Sequence, residues 1–256
     1  MIFKSLIYKL LYWYISVVDR NKEVTFMNYG YHDENEKIDL SPDNEINRYP
    51  IQLYHLLARK VDVQHKKVVE VGCGRGGGLA YINKTFSPGY ALGVDLNSKA
   101  TKFSNQHFKG HTLKYMQGDA QNLNLADEDF DILLNVESSH RYPKVEMFFD
   151  EVYRILKPGG YFLYTDFRER SQMNVLRNQL AKYKYRIIDE KIINENVSKA
   201  LKLDSDRRED LIKRKVPFFL RSAIRDFSGN EGSPTYNQIV CGDLVYFVFC
   251  LQKTEV

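Results

Sequence analysis

The sequence predicts an α/β fold, built as a mostly parallel sheet with crossover helices and a helical cap. Three observations predict it. From Lys66 onward, short β-branched runs such as Val68-Val69-Glu70-Val71 and Ala91-Leu92-Gly93-Val94-Asp95 alternate with helical patterns. Alternation of this kind implies parallel strands joined by right-handed crossovers. The run Phe130-Asp131-Ile132-Leu133-Leu134-Asn135-Val136 is apolar at most positions, which suits a strand buried on both faces at the sheet centre. The first strand also runs straight into Gly72, Gly74, Gly76, Gly77 and Gly78, where the missing Cβ lets backbone N–H groups approach a ligand.

The elements follow in order. Residues 2–18 are rich in Leu, Ile, Tyr and Trp but broken by Lys4, Ser5 and Lys9, so they lack the roughly twenty consecutive apolar residues of a membrane span. They also lack a small-residue cleavage site. Leu6, Lys9, Leu10, Trp13 and Tyr14 recur at helical spacing, which predicts an amphipathic helix. Packing over a ligand cleft is the preferred use of that helix, and lying on a membrane surface is the other. A helix over 46–60 completes an N-terminal cap segment, residues 1–60, ahead of a main domain, residues 61–256. In that domain we expect strands at 67–71, 91–95, 113–117, 130–136 and 161–165, with helices at 77–85, 98–109 and 145–156 between them. Lys157-Pro158-Gly159-Gly160 stops the last of these helices, since Pro cannot continue it and Gly supplies the exit turn. Asp166 then lies at the C-terminal end of its strand. A helix near 172–182, a strand near 186–193, a charged helical insertion at about 194–230 and a closing strand at 244–251 finish the chain.

Composition excludes several classes. Lys and Arg number 37 against 33 Asp and Glu, a net charge of +4 with the two signs interspersed, so no nucleic-acid footprint is present. Cys73, Cys241 and Cys250 cannot form a fully paired framework and show no metal-binding spacing, which points to a reducing cytoplasm and to no metal. Peripheral membrane contact through residues 2–18 is the one qualification to that location.

The glycine loop is the most informative segment for function. Glu70 is the penultimate residue of its strand, and Asp95 ends the next strand 25 residues later, at the spacing of a ribose-binding carboxylate in a βαβ unit. A dinucleotide fingerprint must seat a pyrophosphate, whereas an acid two residues before Gly72 suits a cationic amino-acid group. An adenosyl cofactor is the reading that uses both acids. The motifs E-V-G-C-G-R-G, G-V-D-L, Gly118-Asp119-Ala120 and L-K-P-G-G, in this order and spacing from Lys66 to Asp166, resemble those of class I S-adenosylmethionine-dependent methyltransferases.

The resemblance implies a Rossmann-like, seven-stranded, mostly parallel sheet whose last strand runs antiparallel at the edge, and S-adenosyl-L-methionine as cofactor. It implies that Glu70 holds the methionyl amino group and that Gly72, Gly74 and Gly76 let the chain approach the sulfonium side. Asp95 would accept from both ribose hydroxyls, having two acceptor oxygens for two donors. Leu96 would cover an adenine face, and Asp119 and Ala120 would bind the adenine exocyclic amine. Capping the turn that follows is the plainer role for Asp119. Asn135 would present backbone to the cofactor.

In most class I methyltransferases the loop after the fourth strand lines the meeting place of cofactor and acceptor, and here it carries His140. Imidazole, with a pKa of about 6.5, can take a hydroxyl proton as methyl transfer develops, and a neutral alcohol needs that help. Asp166 would orient His140 or accept a proton itself, a pairing similar to that of O-methyltransferases acting on sugars and polyketides. The plainer reading has His140 capping the next helix and Asp166 ending a strand. A narrower resemblance, spanning F-M-N-Y-G-Y, N-R-Y-P-I-Q-L-Y-H, L-N-V-E-S-S-H-R-Y-P and P-F-F-L-R, is to the phthiotriolone and phenolphthiotriolone dimycocerosate methyltransferases. It implies O-methylation of a lipid hydroxyl. The expected activity is thus O-methylation of a lipid, polyketide or glycosylated small molecule. The alternatives are carbon or nitrogen methylation on the same fold, or cofactor binding without transfer.

Overall fold

The computed structural model describes Asp19, residues 23–108 and residues 110–254. The amphipathic helix expected over residues 2–18 lies outside the described residues. Seven strands form one sheet: β1 (Lys67–Val71), β2 (Tyr90–Asp95), β3 (Leu113–Gln117), β4 (Phe130–Val136), β5 (Leu156–Glu169), β6 (Tyr185–Ile192) and β7 (Leu244–Lys253). Their order is β3-β2-β1-β4-β5-β7-β6, with β7 antiparallel to both neighbours. The helices in chain order are α1 (Pro42–Glu45), α2 (Arg48–Ala58), α3 (Gly77–Phe86), α4 (Ser98–His107), α5 (Val145–Ile155), α6 (Met173–Leu180), α7 (Asn194–Leu203), α8 (Ser205–Lys215), α9 (Arg221–Phe227) and α10 (Pro234–Cys241).

The expectation that the last strand forms the edge is corrected. Tyr246 to Leu251 are at most 2% exposed, so β7 is buried on both faces and sits inside the sheet between β5 and β6. β6 takes the edge instead, with Ile187, Ile188 and Ile192 exposed and charged residues between them, as an edge strand tolerates. A second correction concerns β5, which begins at Leu156 and continues to Glu169. Asp166 is therefore inside the strand, opposite Phe247, not at its end. The Pro-Gly-Gly segment is absorbed as an irregularity in the β4–β5 register between Phe130 and Ile132, with Gly159 at φ 79°. Helix α10, which the charge pattern does not announce, is capped by Ser233 Oγ accepting from Tyr236 N and ends at Gly242, φ 79°.

Strand alternation splits the core between the two faces. Val68 packs with Ile51, Leu57, Leu79, Ile82 and Val248, so α2 contributes to the same layer as α3. Val69 and Val71 face the other way, onto Phe148, Phe149, Phe162 and Phe249. Each such side chain, fully buried, stabilises the fold by about 1.5–3 kcal/mol. A separate small cluster, Ile212, Val216 and Ile224 with Leu220 and Phe227, holds α8 and α9 together above the strand ends. No helix of the described residues is long and apolar enough to cross a membrane.

Candidate active site

The turns that follow β1, β2, β3 and β4, together with Asp166 within β5, bring most of the site residues to one end of the sheet, as the topology of an open parallel sheet requires. The turn after β1 is held from below, with Gly72 N and Cys73 N both donating to Val94 O, at 2.8 and 3.1 Å. Gly72 adopts φ 80°, and a Cβ there would lie 2.0 Å from Ser138 Oγ, so the glycine lets β1 pack directly on the loop that follows β4. At Gly74, φ 53°, a Cβ would meet nothing within 4 Å, so here the loop faces open space. Asp95 braces the same loop: its Oδ2 accepts from Gly74 N at 2.8 Å and its Oδ1 from Asn97 N at 2.8 Å. Burial nevertheless raises the Asp95 pKa, against the pull of those two N–H groups. Leu96 beside it is 62% exposed. Asp119 is exposed and its Oδ1 accepts from Gln121 N at 2.9 Å, the turn-capping geometry, while Ala120 is buried.

Beyond Ser138, a 3₁₀ turn (Ser139–Arg141) carries His140 onto Asp166. His140 Nδ1 lies 2.7 Å from Asp166 Oδ1, and the His140 backbone N–H donates to Oδ2 at 2.9 Å. Ser139 Oγ donates to Oδ2 at 2.7 Å, and Arg168 Nη1 pairs with it at 3.1 Å. Burial alone would raise the Asp166 pKa, but His140, Arg168 and these donors together hold it well below the usual carboxylate range. Asp166 is thus an ionised acceptor. On the far side of the ring, His140 Nε2 takes the Arg141 Nε–H at 2.9 Å. Arg141 can only donate, so both contacts fix one tautomer, with the proton on Nδ1 and the lone pair on Nε2. Burial lowers the His140 pKa and outweighs the opposing pull of Asp166, which favours the neutral ring. The plainer role for His140 is excluded, since α5 is N-capped by Lys144 with no side-chain cap.

His140, Arg141 and Glu137 stand on the wall of a cavity roofed by the insertion, where Arg207, Arg208 and Lys215 add charge and Met27, Phe167, Leu211, Ile212, Ile224 and Phe227 supply apolar surface. The His140 ring packs on Phe167 with centroids 4.3 Å apart.

Residues 69–164 match the family described as methyltransferase domain. A fatty-acid O-methyltransferase of Mycolicibacterium smegmatis is 39% identical over 246 residues, covering 96% of this chain and 89% of its own. The phthiotriol/phenolphthiotriol dimycocerosates methyltransferase of Mycobacterium tuberculosis is 37% identical, covering 94% of this chain and 91% of its own. The chain belongs to this methyltransferase family. In fold, the methyltransferase resembles the cyclopropane synthase MmaA2 from Mycobacterium tuberculosis, TM-score 0.71 at 14% identity, over 94% of each chain. It also resembles the geranyl diphosphate C-methyltransferase from Streptomyces coelicolor, TM-score 0.66 at 15% identity, over 94% of this chain and 98% of that one.

S-adenosylmethionine is the methyl donor of this methyltransferase, and the cleft fits it. Glu70 is fully buried; its Oε1 accepts from Tyr54 Oη at 2.7 Å, while Oε2 finds no donor in hydrogen-bonding geometry among the described residues. Burial pushes the Glu70 carboxyl up to about 7, against the Tyr54 hydrogen bond. A cationic amino group at Oε2 would supply both the missing donor and the missing counter-charge. Asn135 Oδ1 likewise has no hydrogen-bond partner among the described residues, while its Nδ2 donates to Val71 O at 2.8 Å and so ties β4 to β1 under the glycine loop. Its side chain braces the cleft, where the sequence suggests only its backbone. Cys73 is buried with its thiol pKa raised by that burial, so it is a small filler and no nucleophile. Among the described residues no His, Cys, Asp and Glu cluster is arranged to hold a metal.

Glu137 is the site residue that sequence reasoning misses. It sits at φ 45°, in the left-handed region, directly after β4. Its Oε1 accepts from Tyr29 N at 2.6 Å and from the Tyr246 hydroxyl. Burial pushes its carboxyl up to about 8, although both hydrogen bonds pull it down. An acid immediately following a doubly buried strand was the available signal.

Proposed function

We propose that the methyltransferase O-methylates a hydroxyl of a long-chain lipid, with His140 as general base and Asp166 as the group that orients it. The observation that carries this reading is the His140–Asp166 pair, fixed in the base-competent tautomer on the wall of an apolar cavity. The lining favours an aliphatic chain over a glycosylated acceptor, and the relatives act on fatty acids and dimycocerosate lipids by name.

When bound, the cofactor supplies a methyl group already activated on a sulfonium. Glu70 then holds its amino group, Gly72, Gly74 and Gly76 admit its methionyl end, and Asp95 accepts from the ribose. Leu96, Asp119, Ala120 and Asn135 enclose the adenine side and the cleft floor. The acceptor hydroxyl replaces the Arg141 N–H at His140 Nε2 and gives its proton to that lone pair. Asp166, remaining ionised, stabilises the imidazolium that forms. Residues 23–60 belong to the cap segment of a cytoplasmic enzyme.

Arg141 favours one second reading, a fatty-acid carboxyl oxygen as acceptor. A carboxylate needs no base, and the Arg141 guanidinium, held 5.0 Å over the Phe227 ring in the same cavity, would be its counter-charge. Long-chain alcohols and long-chain acids offered with isotopically labelled donor separate the two. For a hydroxyl acceptor, His140→Ala should lower turnover by about 10²–10⁴ while leaving cofactor affinity unchanged. Labelling of acids alone, with His140→Ala near wild type, would replace the hydroxyl reading by the carboxyl one.

A further inference from the structure

The turn between α8 and α9 exposes two aromatic rings side by side. Phe218 is 84% and Phe219 80% exposed. This is not a loose loop. The 3₁₀ turn (Phe218–Leu220) starts after Pro217, and its base is anchored by Leu220 packing against Ile212, Val216 and Ile224. Arg221 ties both sides together, with Nε donating to Val216 O at 3.0 Å and Nη2 to Lys213 O at 2.9 Å. One side chain of the turn goes inward and two large apolar ones are pushed out, so a built scaffold presents them.

The surroundings of the rings are cationic. Residues 213–225 hold Lys213, Arg214, Lys215, Arg221 and Arg225 and no acid. Partial neutralisation comes from Glu209 to Lys213 and Arg225, from Asp210 and Glu23 to Arg214, and from Asp19 and Glu23 to Lys215. Lys213 and Arg214, next to the rings in sequence, keep side chains 62% and 48% exposed, and Arg221 hydrogen-bonds backbone carbonyls.

We infer that the Phe218–Phe219 turn is a docking face for an anionic lipid surface. Aromatic rings seat at the acyl–headgroup boundary, and flanking Lys and Arg add attraction to anionic headgroups. A second copy of this chain fits less well, because a two-fold contact would set the same cations against one another. Ile212, Val216, Ile224 and Phe227 of these helices also line the acceptor cavity, so docking brings that cavity to the lipid surface. Only this delivery role rests on the lipid-acceptor reading.

The test uses the full chain with vesicles of phosphatidylcholine, alone or mixed with phosphatidylglycerol, in a sedimentation assay. Wild type should co-sediment with the anionic vesicles, less so as salt rises and weakly with the neutral ones. The Phe218→Ser/Phe219→Ser double variant should lose about tenfold or more in vesicle affinity. Its melting temperature and its cofactor affinity by calorimetry should match wild type, since neither ring belongs to the core or the cleft. Equal sedimentation of wild type and double variant overturns the inference, as does equal binding of wild type to both vesicle compositions. A wild-type dimer in solution that the double variant abolishes, without vesicle binding by either, assigns the face to a second copy and also overturns it. If vesicle binding falls in the variant while neither protein methylates any lipid, the docking face stands and the acceptor reading fails.

Discussion

Asp166→Asn is the sharpest probe of the dyad, because it keeps the shape of the side chain and removes its charge. Asp166 is fully buried, and each carboxylate oxygen accepts from a backbone N–H, Oδ2 from His140 N at 2.9 Å and Oδ1 from Phe167 N at 2.9 Å. An amide has one acceptor oxygen. Whichever way the Asn side chain is placed, its NH₂ group faces an N–H that can only donate, and one hydrogen bond to a charged group becomes a repulsive contact. Arg168, paired at 3.1 Å, loses its counter-charge in the same step. The orphaned bond accounts for about 1.5–3 kcal/mol, and the uncompensated buried cation takes the loss to about 3–5 kcal/mol. For a chain of this size that corresponds to a fall on the order of 10 °C in melting temperature. Turnover should fall by about 10²–10⁴, since His140 loses both its orientation and the charge that stabilises imidazolium. Asp166 raises the His140 pKa, so its removal should also move the acid limb of the pH–rate profile to lower pH. Calorimetry should find cofactor affinity nearly unchanged. A variant that melts within a degree or two of wild type, with turnover within a few-fold and the same acid limb, would refute the dyad.

Two further perturbations test the rest of the site. Asp95→Ala removes the proposed ribose acceptor and the brace on Gly74, and should weaken cofactor binding by about 1.5–3 kcal/mol; unchanged affinity by calorimetry in a folded variant would dismiss that role for Asp95. Glu137→Gln keeps an acceptor for Tyr29 N and the Tyr246 hydroxyl but cannot titrate. Because burial lifts the Glu137 carboxyl from 4.5 to about 8, the folded chain holds a proton that the unfolded chain releases above about 4.5, and wild-type stability falls as pH rises through that window. The variant should therefore gain melting temperature over wild type between pH 5 and pH 8, and a difference independent of pH counts against a buried, protonated Glu137.

How much of this is legible in the sequence depends on whether the signal is local. Strands β1 and β4 begin and end where the sequence places them, at Lys67–Val71 and Phe130–Val136, because burial on both faces leaves little freedom there, and the edge strand β3 does so at Leu113–Gln117 although Lys114 and Gln117 are exposed. The glycine loop and Asp95 are likewise legible, since the turn geometry demands glycine and the acid stands at a fixed βαβ spacing. The placement of β7 is not, because its apolar run says that it is buried but not between which neighbours. Glu137 stays hidden for a similar reason: its partners, Tyr29 and Tyr246, lie 108 and 109 residues away in the chain.

The dyad shows how the two kinds of information meet. His140 and Asp166 are 26 residues apart, and neither is singular in its local sequence. Parallel pairing of β4 with β5 sets Val136 opposite Thr165, so the loop leaving β4 must pass over the residue that follows Thr165. The 3₁₀ turn then needs only its own backbone N–H and Ser139 Oγ to dock on that carboxylate, and the imidazole arrives with its Nδ1 already engaged. On the other edge of β4, pairing with β1 runs to Glu70 opposite Leu134, and just beyond it Gly72 packs on Ser138, so a side chain at position 72 would push that same loop away. Gly72, proposed to admit the cofactor, therefore also fixes where His140, the proposed base, stands. Any larger residue there is expected to damage methyl transfer through His140 as well as through the cofactor.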